Sequence, residues 1–301
     1  MIRAALSWIS GQALAGMLRL FAPLFPSQIP VLTYHSVDDS GSLLSVAPAV
    51  LRQHLTELRD AGWRSLSIAE YRAFAAGAKP PEHRILITFD DGYANFFHNA
   101  LPLLVELRSK ATVFVCPDWV GREPRWMRRD AELVRGLSRR LGFTAALHTR
   151  LEQEMDRLSQ QPLMDWAQLR GVVDVGIDVQ SHAAAHHFLT MLTDAELADD
   201  LARSRRVLEE QLATTVRTIA YPYGDCDMRV AQAAAAAGYD VGFVTDDWVA
   251  PGGALMRSRT GISGELNRAG LRLLLTGWPL YPHWRGFAHR ALRWRPTAGA
   301  R

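Results

Sequence analysis

Short β-prone runs alternate with helix-period segments along most of this chain, and that alternation restricts the fold more than any other feature. The strand-like runs are Val31–Tyr34, Arg84–Phe89, Thr112–Cys116, Asp174–Val179, Val216–Tyr221 and Asp240–Val244. Each is short and rich in apolar, β-branched or aromatic residues. Helix signals lie between them. Pro48 opens one segment that stops at Gly62, and Thr193 with Glu196 three residues on forms a capping box for another. An alanine-rich stretch from Met228 ends at Gly238. Strands separated by helices pair in parallel through crossovers, so an α/β fold is expected, as an open sheet or a barrel. Residues 118–165 break the rhythm. Polar, Arg-rich and helical in pattern, they read as an insertion outside the core.

Composition settles what else the chain can be. Of 301 residues, 48% are hydrophobic and 22% charged, enough to bury a core and incompatible with disordered, collagen-like or coiled-coil classes. Two cysteines, Cys116 and Cys226, cannot form a disulfide framework or a Cys-x-x-Cys metal site. The net charge of +3 hides an asymmetry. Residues 1–26 carry Arg3 and Arg19 and no acid, residues 267–301 carry seven Arg and no acid, and the body between is net acidic. Leu6, Ile9, Ala13, Met17, Leu20 and Leu24 recur at three- and four-residue steps, as on one helix face.

Three regions follow: an apolar N-terminal helix over 1–29 (anchoring or interfacial), a folded body over 30–266, and a basic aromatic tail over 267–301. In that tail Trp278, Tyr281, Trp284, Phe287 and Trp294 mix with arginines. Aromatic rings favour the headgroup level of a bilayer, and each Arg near an anionic surface adds about 1 kcal/mol. An anionic membrane surface is therefore an expected partner, which sedimentation with anionic liposomes at low and high salt tests. Nucleic acid is not expected, since no helix-turn-helix, zinc-finger or RNA-binding motif accompanies the basic tail.

Three constellations carry chemistry. Thr88-Phe89-Asp90-Asp91-Gly92 follows the apolar run Ile85-Leu86-Ile87. Carboxylates at a strand's end sit where α/β folds place their sites. Adjacent side chains on a strand point to opposite faces, so both carboxylates can address one site only if the chain turns, which Gly92 permits. Two neighbouring carboxylates also imply a nearby cation. Ser181-His182-Ala183-Ala184-Ala185-His186 forms the second constellation. Two His at i and i+4 share a face if the segment is helical, and with one carboxylate they suit a divalent ion. Spacing alone leaves His187 as a competing ligand. The third, Ala220-Tyr221-Pro222-Tyr223-Gly224, is a shaped turn that can aim a backbone N–H at a ligand.

In this order the three motifs resemble the polysaccharide deacetylases of carbohydrate esterase family 4, the NodB-homology group, over roughly residues 30–262. The resemblance implies a distorted (β/α) barrel with a helical insertion. It implies Asp90 as catalytic base, Asp91, His182 and His186 as metal ligands, and the Tyr223 backbone N–H as oxyanion donor. The metal is expected to be a divalent ion, Zn²⁺ first. Leu32-Thr33-Tyr34-His35-Ser36 is similar to the N-terminal element of the poly-N-acetylglucosamine deacetylase subgroup, and this implies His35 as catalytic acid.

Three departures from the pattern stand out. Ala183 replaces a Ser or Thr, His187 replaces a Pro, and Ala220 replaces an Arg that orients the catalytic Asp. Arg259, in Arg257-Ser258-Arg259-Thr260-Gly261-Ile262, is the expected source of the missing charge. The implied function is a hydrolase removing N-acetyl groups from an amino-sugar polysaccharide or lipid-linked saccharide, membrane-associated in a bacterial cell envelope. Two other readings compete with it: a saccharide-binding module that has lost turnover, and a glycoside hydrolase using paired carboxylates.

Overall fold

The computed structural model describes residues 29–277 apart from 43, 80–82, 141–143 and 246–252. The chain divides into two units, Val31–Leu266 and a second to which the described residues 29, 30 and 267–277 belong. In the larger unit the strands are β1 (Val31–Tyr34), β2 (Arg64–Ser65), β3 (Arg84–Phe89), β4 (Thr112–Val115), β5 (Asp178–Ser181), β6 (Thr218–Ala220), β7 (Val241–Thr245) and β8 (Arg257–Gly261). The helices are α1 (Pro48–Asp60), α2 (Ile68–Ala75), α3 (Leu101–Glu106), α4 (Trp126–Arg129), α5 (Ala131–Arg140), α6 (Ala145–Leu158), α7 (Trp166–Asp174), α8 (Asp194–Leu212) and α9 (Met228–Ala236). In the smaller unit the described part is Ile29, Pro30 and residues 267–277, with helix α10 (Arg268–Gly277) capped by Asn267. The apolar N-terminal segment and the aromatic part of the basic tail lie outside the described residues. No described helix is long and apolar enough to cross a membrane.

Every strand pairs in parallel, in the order β1-β8-β7-β6-β5-β4-β3, and β1 returns to β3. That closes a seven-stranded barrel, with β2 added outside on β3. Closure removes the exposed edges an open sheet would leave. β1, β3 and β4 are almost wholly buried, which explains their near-continuous apolar runs. Around the barrel, α1 buries Leu51, Leu55 and Leu58 on one stripe. The capping box at Thr193 and Glu196 starts α8 as the sequence predicts.

Three expectations need correction. The run Asp174–Val179 is not a strand: residues 166–174 are helical, Gly176 turns the chain at φ 82°, and pairing begins only at Asp178. The sequence pattern also passes over β2, two residues long, and β8, whose Arg-Ser-Arg-Thr-Gly carries no apolar run. Finally, residues 118–165 are more than an addition outside the core. Trp126, Met127, Leu158 and Leu163 bury against Tyr93 as a packed cluster beside the barrel rim.

Candidate active site

Because all strands run the same way, the segments that leave their carboxyl ends gather on one rim. β1 delivers His35 there, β3 delivers Asp90 and Asp91, β5 delivers the His182–His186 loop, and β6 delivers the Tyr221–Gly224 turn.

Two left-handed residues let both carboxylates enter the site. Asp91 has φ 69° and Gly92 φ 74°. A Cβ at Gly92 would lie 2.7 Å from Val115 Cγ1, so the turn admits no side chain there. The consecutive carboxylates then take separate partners. Asp90 accepts both forks of the Arg259 guanidinium, at 2.7 and 2.6 Å, and its backbone N–H bonds Tyr34 at 2.9 Å. Asp91 Oδ1 faces His182 Nε2 at 3.4 Å and His186 Nε2 at 3.3 Å.

Arg259 comes from inside β8 and reaches the rim from the opposite side of the β1 strand. It is 2% exposed, rests over the rings of Phe114 and Phe243, and also donates to Thr88 Oγ1 at 3.3 Å. Thr88 Oγ1 in turn donates to the Leu32 carbonyl. Burial pushes the Asp90 carboxyl upward, but the Arg259 charge, with those of His182 and His35, outweighs it and holds the group ionised. His35, half-buried, is thus near enough to act on Asp90 electrostatically. Breaking a buried pair of this kind leaves an uncompensated charge. Arg259→Met is therefore expected to cost about 3–5 kcal/mol of stability, read from denaturant midpoints, and to lower turnover with metal retained. An unchanged midpoint would show that the pair does not matter.

The histidine pair is not helical, contrary to the shared-face reading. Ala183 (φ 60°) and His186 (φ 56°) are left-handed, and the loop folds both rings onto Asp91. Polar groups from all sides hold the loop in this shape. Asp200 of α8, 2% exposed, accepts from the Ala184 N–H at 2.7 Å and the Ala185 N–H at 3.3 Å. Ser181 Oγ accepts from the Ala183 N–H at 3.1 Å, supplying the hydroxyl that Ala183 lacks. Arg129 donates to the carbonyls of Ala185 and His186 at 3.2 and 2.6 Å. His187 stands apart, half-exposed and 3.5 Å from Asp200, so the geometry favours His186 over it as the second imidazole.

These residues fit a divalent cation. His182 Nδ1 lies 2.7 Å from the Ala220 carbonyl, which can only accept, so Nδ1 carries the proton. In the neutral ring the Nε2 lone pair then faces a carboxylate oxygen, an arrangement that calls for positive charge between them. Burial lowers the His182 pKa, yet the Asp90 and Asp91 charges raise it overall. The Asp91 carboxyl, despite burial, is held well below its usual range by the two imidazoles. One atom from each of Asp91, His182 and His186 lies within 4.8 Å of the others, the donor set of a catalytic divalent-ion site. His186 is held differently. Its Nδ1 is buried without a hydrogen-bond partner among the described residues, and its ring stacks on Trp126 at 4.6 Å and meets the Tyr223 ring edge-on at 4.7 Å.

The Pro222-Tyr223-Gly224 turn is also left-handed, with Tyr223 at φ 58° and Gly224 at φ 70°. A Cβ on Gly224 would fall 2.7 Å from the Thr245 backbone nitrogen. Tyr223 OH donates to Asp130 at 3.0 Å, and Asp130 also accepts both forks of Arg129. Sequence reasoning missed Asp130, Asp200 and Trp126. Only Trp126, in an otherwise polar stretch, carries a signal that could have been read; Asp200 is one acid among several on an amphipathic helix. The glycoside hydrolase expectation gains nothing from this geometry, because Asp91 faces two imidazoles and Asp90 is locked on an arginine rather than across a cleft.

Comparison with known proteins agrees with the geometry. The chain is 27% identical over 222 residues to YxkH of Bacillus subtilis, a protein named for the polysaccharide deacetylases; the match covers 73% of this chain and 66% of that one. It is 33% identical over 93 residues to the poly-beta-1,6-N-acetyl-D-glucosamine N-deacetylase of Escherichia coli, covering 30% of this chain and 14% of that one. The chain thus spans less than two thirds of the length of these relatives. The fold is that of the Streptococcus pyogenes deacetylase PplD (TM-score 0.65, 22% identity, 82% of this chain and 97% of that one). It is also similar to that of IcaB from Ammonifex degensii (TM-score 0.64, 21% identity, 84% of this chain and 98% of that one). The polysaccharide deacetylase family model matches residues 77–242, so His35 and Arg259 fall outside it and rest on the geometry above. Since that match runs from before Asp90 to beyond Tyr223, over more than half of the chain, the protein belongs to the polysaccharide deacetylase family.

Proposed function

We propose that this protein is a metal-dependent deacetylase that removes N-acetyl groups from an N-acetylglucosamine polysaccharide. The observation that carries this reading is the division of two consecutive carboxylates, Asp90 onto Arg259 and Asp91 onto two imidazoles, within one buried rim site. The substrate for which the Escherichia coli relative is named supports the saccharide class.

Asp91, His182 and His186 would hold the ion. When bound, a divalent cation such as Zn²⁺ supplies Lewis-acid polarisation of the amide carbonyl and makes water more acidic. The remaining work falls to the chain. Asp90, kept ionised by Arg259, takes a proton from the water that attacks the acetyl carbon. The Tyr223 backbone N–H donates to the developing oxyanion, a contribution typically worth about 3 kcal/mol for one donor. His35 gives a proton to the amine nitrogen as the C–N bond breaks, leaving acetate and a free amino sugar. Acetate release from a β-1,6-linked N-acetylglucosamine oligomer tests the reading. Release is expected from protein reconstituted with Zn²⁺ and not after chelation. Metal-loaded protein that frees no acetate would overturn it.

A further inference from the structure

Directly after His35, at Ser36, begins a polar network that no step above uses. Asp38 accepts from Ser36 Oγ at 2.7 Å, Ser45 Oγ at 2.6 Å and the Ser40 N–H at 2.9 Å. Across the rim, Arg157 of α6 donates to Asp38 at 3.1 Å, to Ser42 Oγ at 2.9 Å and to Glu154 at 3.0 Å. Ser42 Oγ closes the ring by donating to Glu154 at 2.7 Å. From the segment after the Asp90–Gly92 turn, Asn95 accepts from the Val37 N–H at 3.1 Å and donates to Ser36 Oγ at 2.7 Å. Asn99 donates to the Val37 carbonyl at 2.7 Å. Each residue from Ser36 to Asp38 is therefore tied by a side chain from elsewhere.

The placement of these charges is costly. Glu154 is 3% exposed and the Asp38 and Arg157 side chains are 21% and 26% exposed. The Arg157 Nε is buried without a hydrogen-bond partner among the described residues. Well-packed apolar residues would serve stability as well as such a network or better, whereas a charged, hydrogen-bonded cluster specifies one geometry. What it specifies is the path of the chain directly after His35, on the segment that bridges Ser36 to Ser45.

We infer that Arg157 and Glu154, on the helical insertion, are positioning residues that hold the β1 loop through Asp38 and Ser42, and so set where His35 delivers its proton. This rests on His35 being the acid. A misplacement of about 1 Å in a catalytic group costs about a hundredfold in rate. The cost should fall only where a proton must be delivered. An amide leaves as an amine and needs that proton, whereas 4-nitrophenolate leaves from 4-nitrophenyl acetate without it.

The test compares both substrates on the same metal-loaded protein. Arg157→Met is expected to lower kcat on the β-1,6-linked N-acetylglucosamine oligomer by about ten- to a hundredfold and to change ester hydrolysis by less than about twofold. His35→Ala should show the same selective loss, and the double variant should lose little more than His35→Ala alone. If Arg157→Met does not fold, Asp38→Asn, nearly isosteric, reads the same ratio. Equal loss on amide and ester, or additive losses in the double variant, would overturn the positioning role while leaving the deacetylase reading intact. A His35→Ala protein with an undiminished amide rate would instead overturn the assignment of His35 on which it rests.

Discussion

Asp90→Asn is expected to lower deacetylation by about two to four orders of magnitude while metal content stays at the wild-type level. The carboxylate is buried at 4% exposure and already satisfied by two Arg259 hydrogen bonds, and it makes no ion pair with His182 or His186. An amide in its place keeps the shape and can still accept from one guanidinium nitrogen, but it cannot take a proton from water. Arg259 would then be left buried with one fork unanswered, so some stability should go as well. The measurement is paired: metal by elemental analysis and acetate by coupled assay on the same preparation. Loss of metal from Asp90→Asn equal to that from Asp91→Asn would end the division of roles between the two carboxylates.

The second large effect is on metal binding. His182→Ala removes one of three donors and frees the Ala220 carbonyl that the Nδ1 proton now satisfies. Stoichiometric metal and activity should both be lost. A ligand that binds only the native state stabilises it by about 2.7 kcal/mol at a hundred times its Kd. Wild-type protein should therefore melt at a higher temperature with Zn²⁺ than after chelation, and His182→Ala should melt alike in both. The variant should not collapse, because the loop is also held by Asp200, Ser181 and Arg129, whose bonds go to its backbone rather than to the imidazole. Wild-type metal content in His182→Ala would refute the ligand set. His187 offers a control: half-exposed and turned to Asp200, it should be replaceable by Ala with metal retained.

Much of this site is legible in the sequence because its parts are local. Asp90 and Asp91 are consecutive, the two imidazoles lie within one loop, and Tyr223 sits between Pro222 and Gly224, so each motif carries its own turn chemistry. Asp90 and Arg259 are different: 169 positions separate the partners, and only barrel closure through β1 and β8 brings them together. The Arg-Ser-Arg-Thr-Gly segment does not read as a strand, since β8 owes its place to its neighbours rather than to its own hydrophobicity.

Local pattern also misled where two conformations share one signal. A His-x-x-x-His spacing fits one helix face, yet left-handed Ala183 and His186 bring the rings together instead, made affordable by bonds from Asp200, Ser181 and Arg129 that no spacing announces. Residues 118–165 look external because their surface is charged, and only packing shows Trp126 under His186 and Arg157 against the loop after His35. By itself, then, the sequence determined the alternating strands and helices, the three turns and the residue types that carry chemistry, because these depend on backbone preferences over a few neighbouring positions. Tertiary structure alone decided how Arg259, to which only the family resemblance had pointed, reaches Asp90, why His186 rather than His187 faces Asp91, and what holds each loop in its strained form, because those depend on buried contacts between segments that parallel strands bring to one rim.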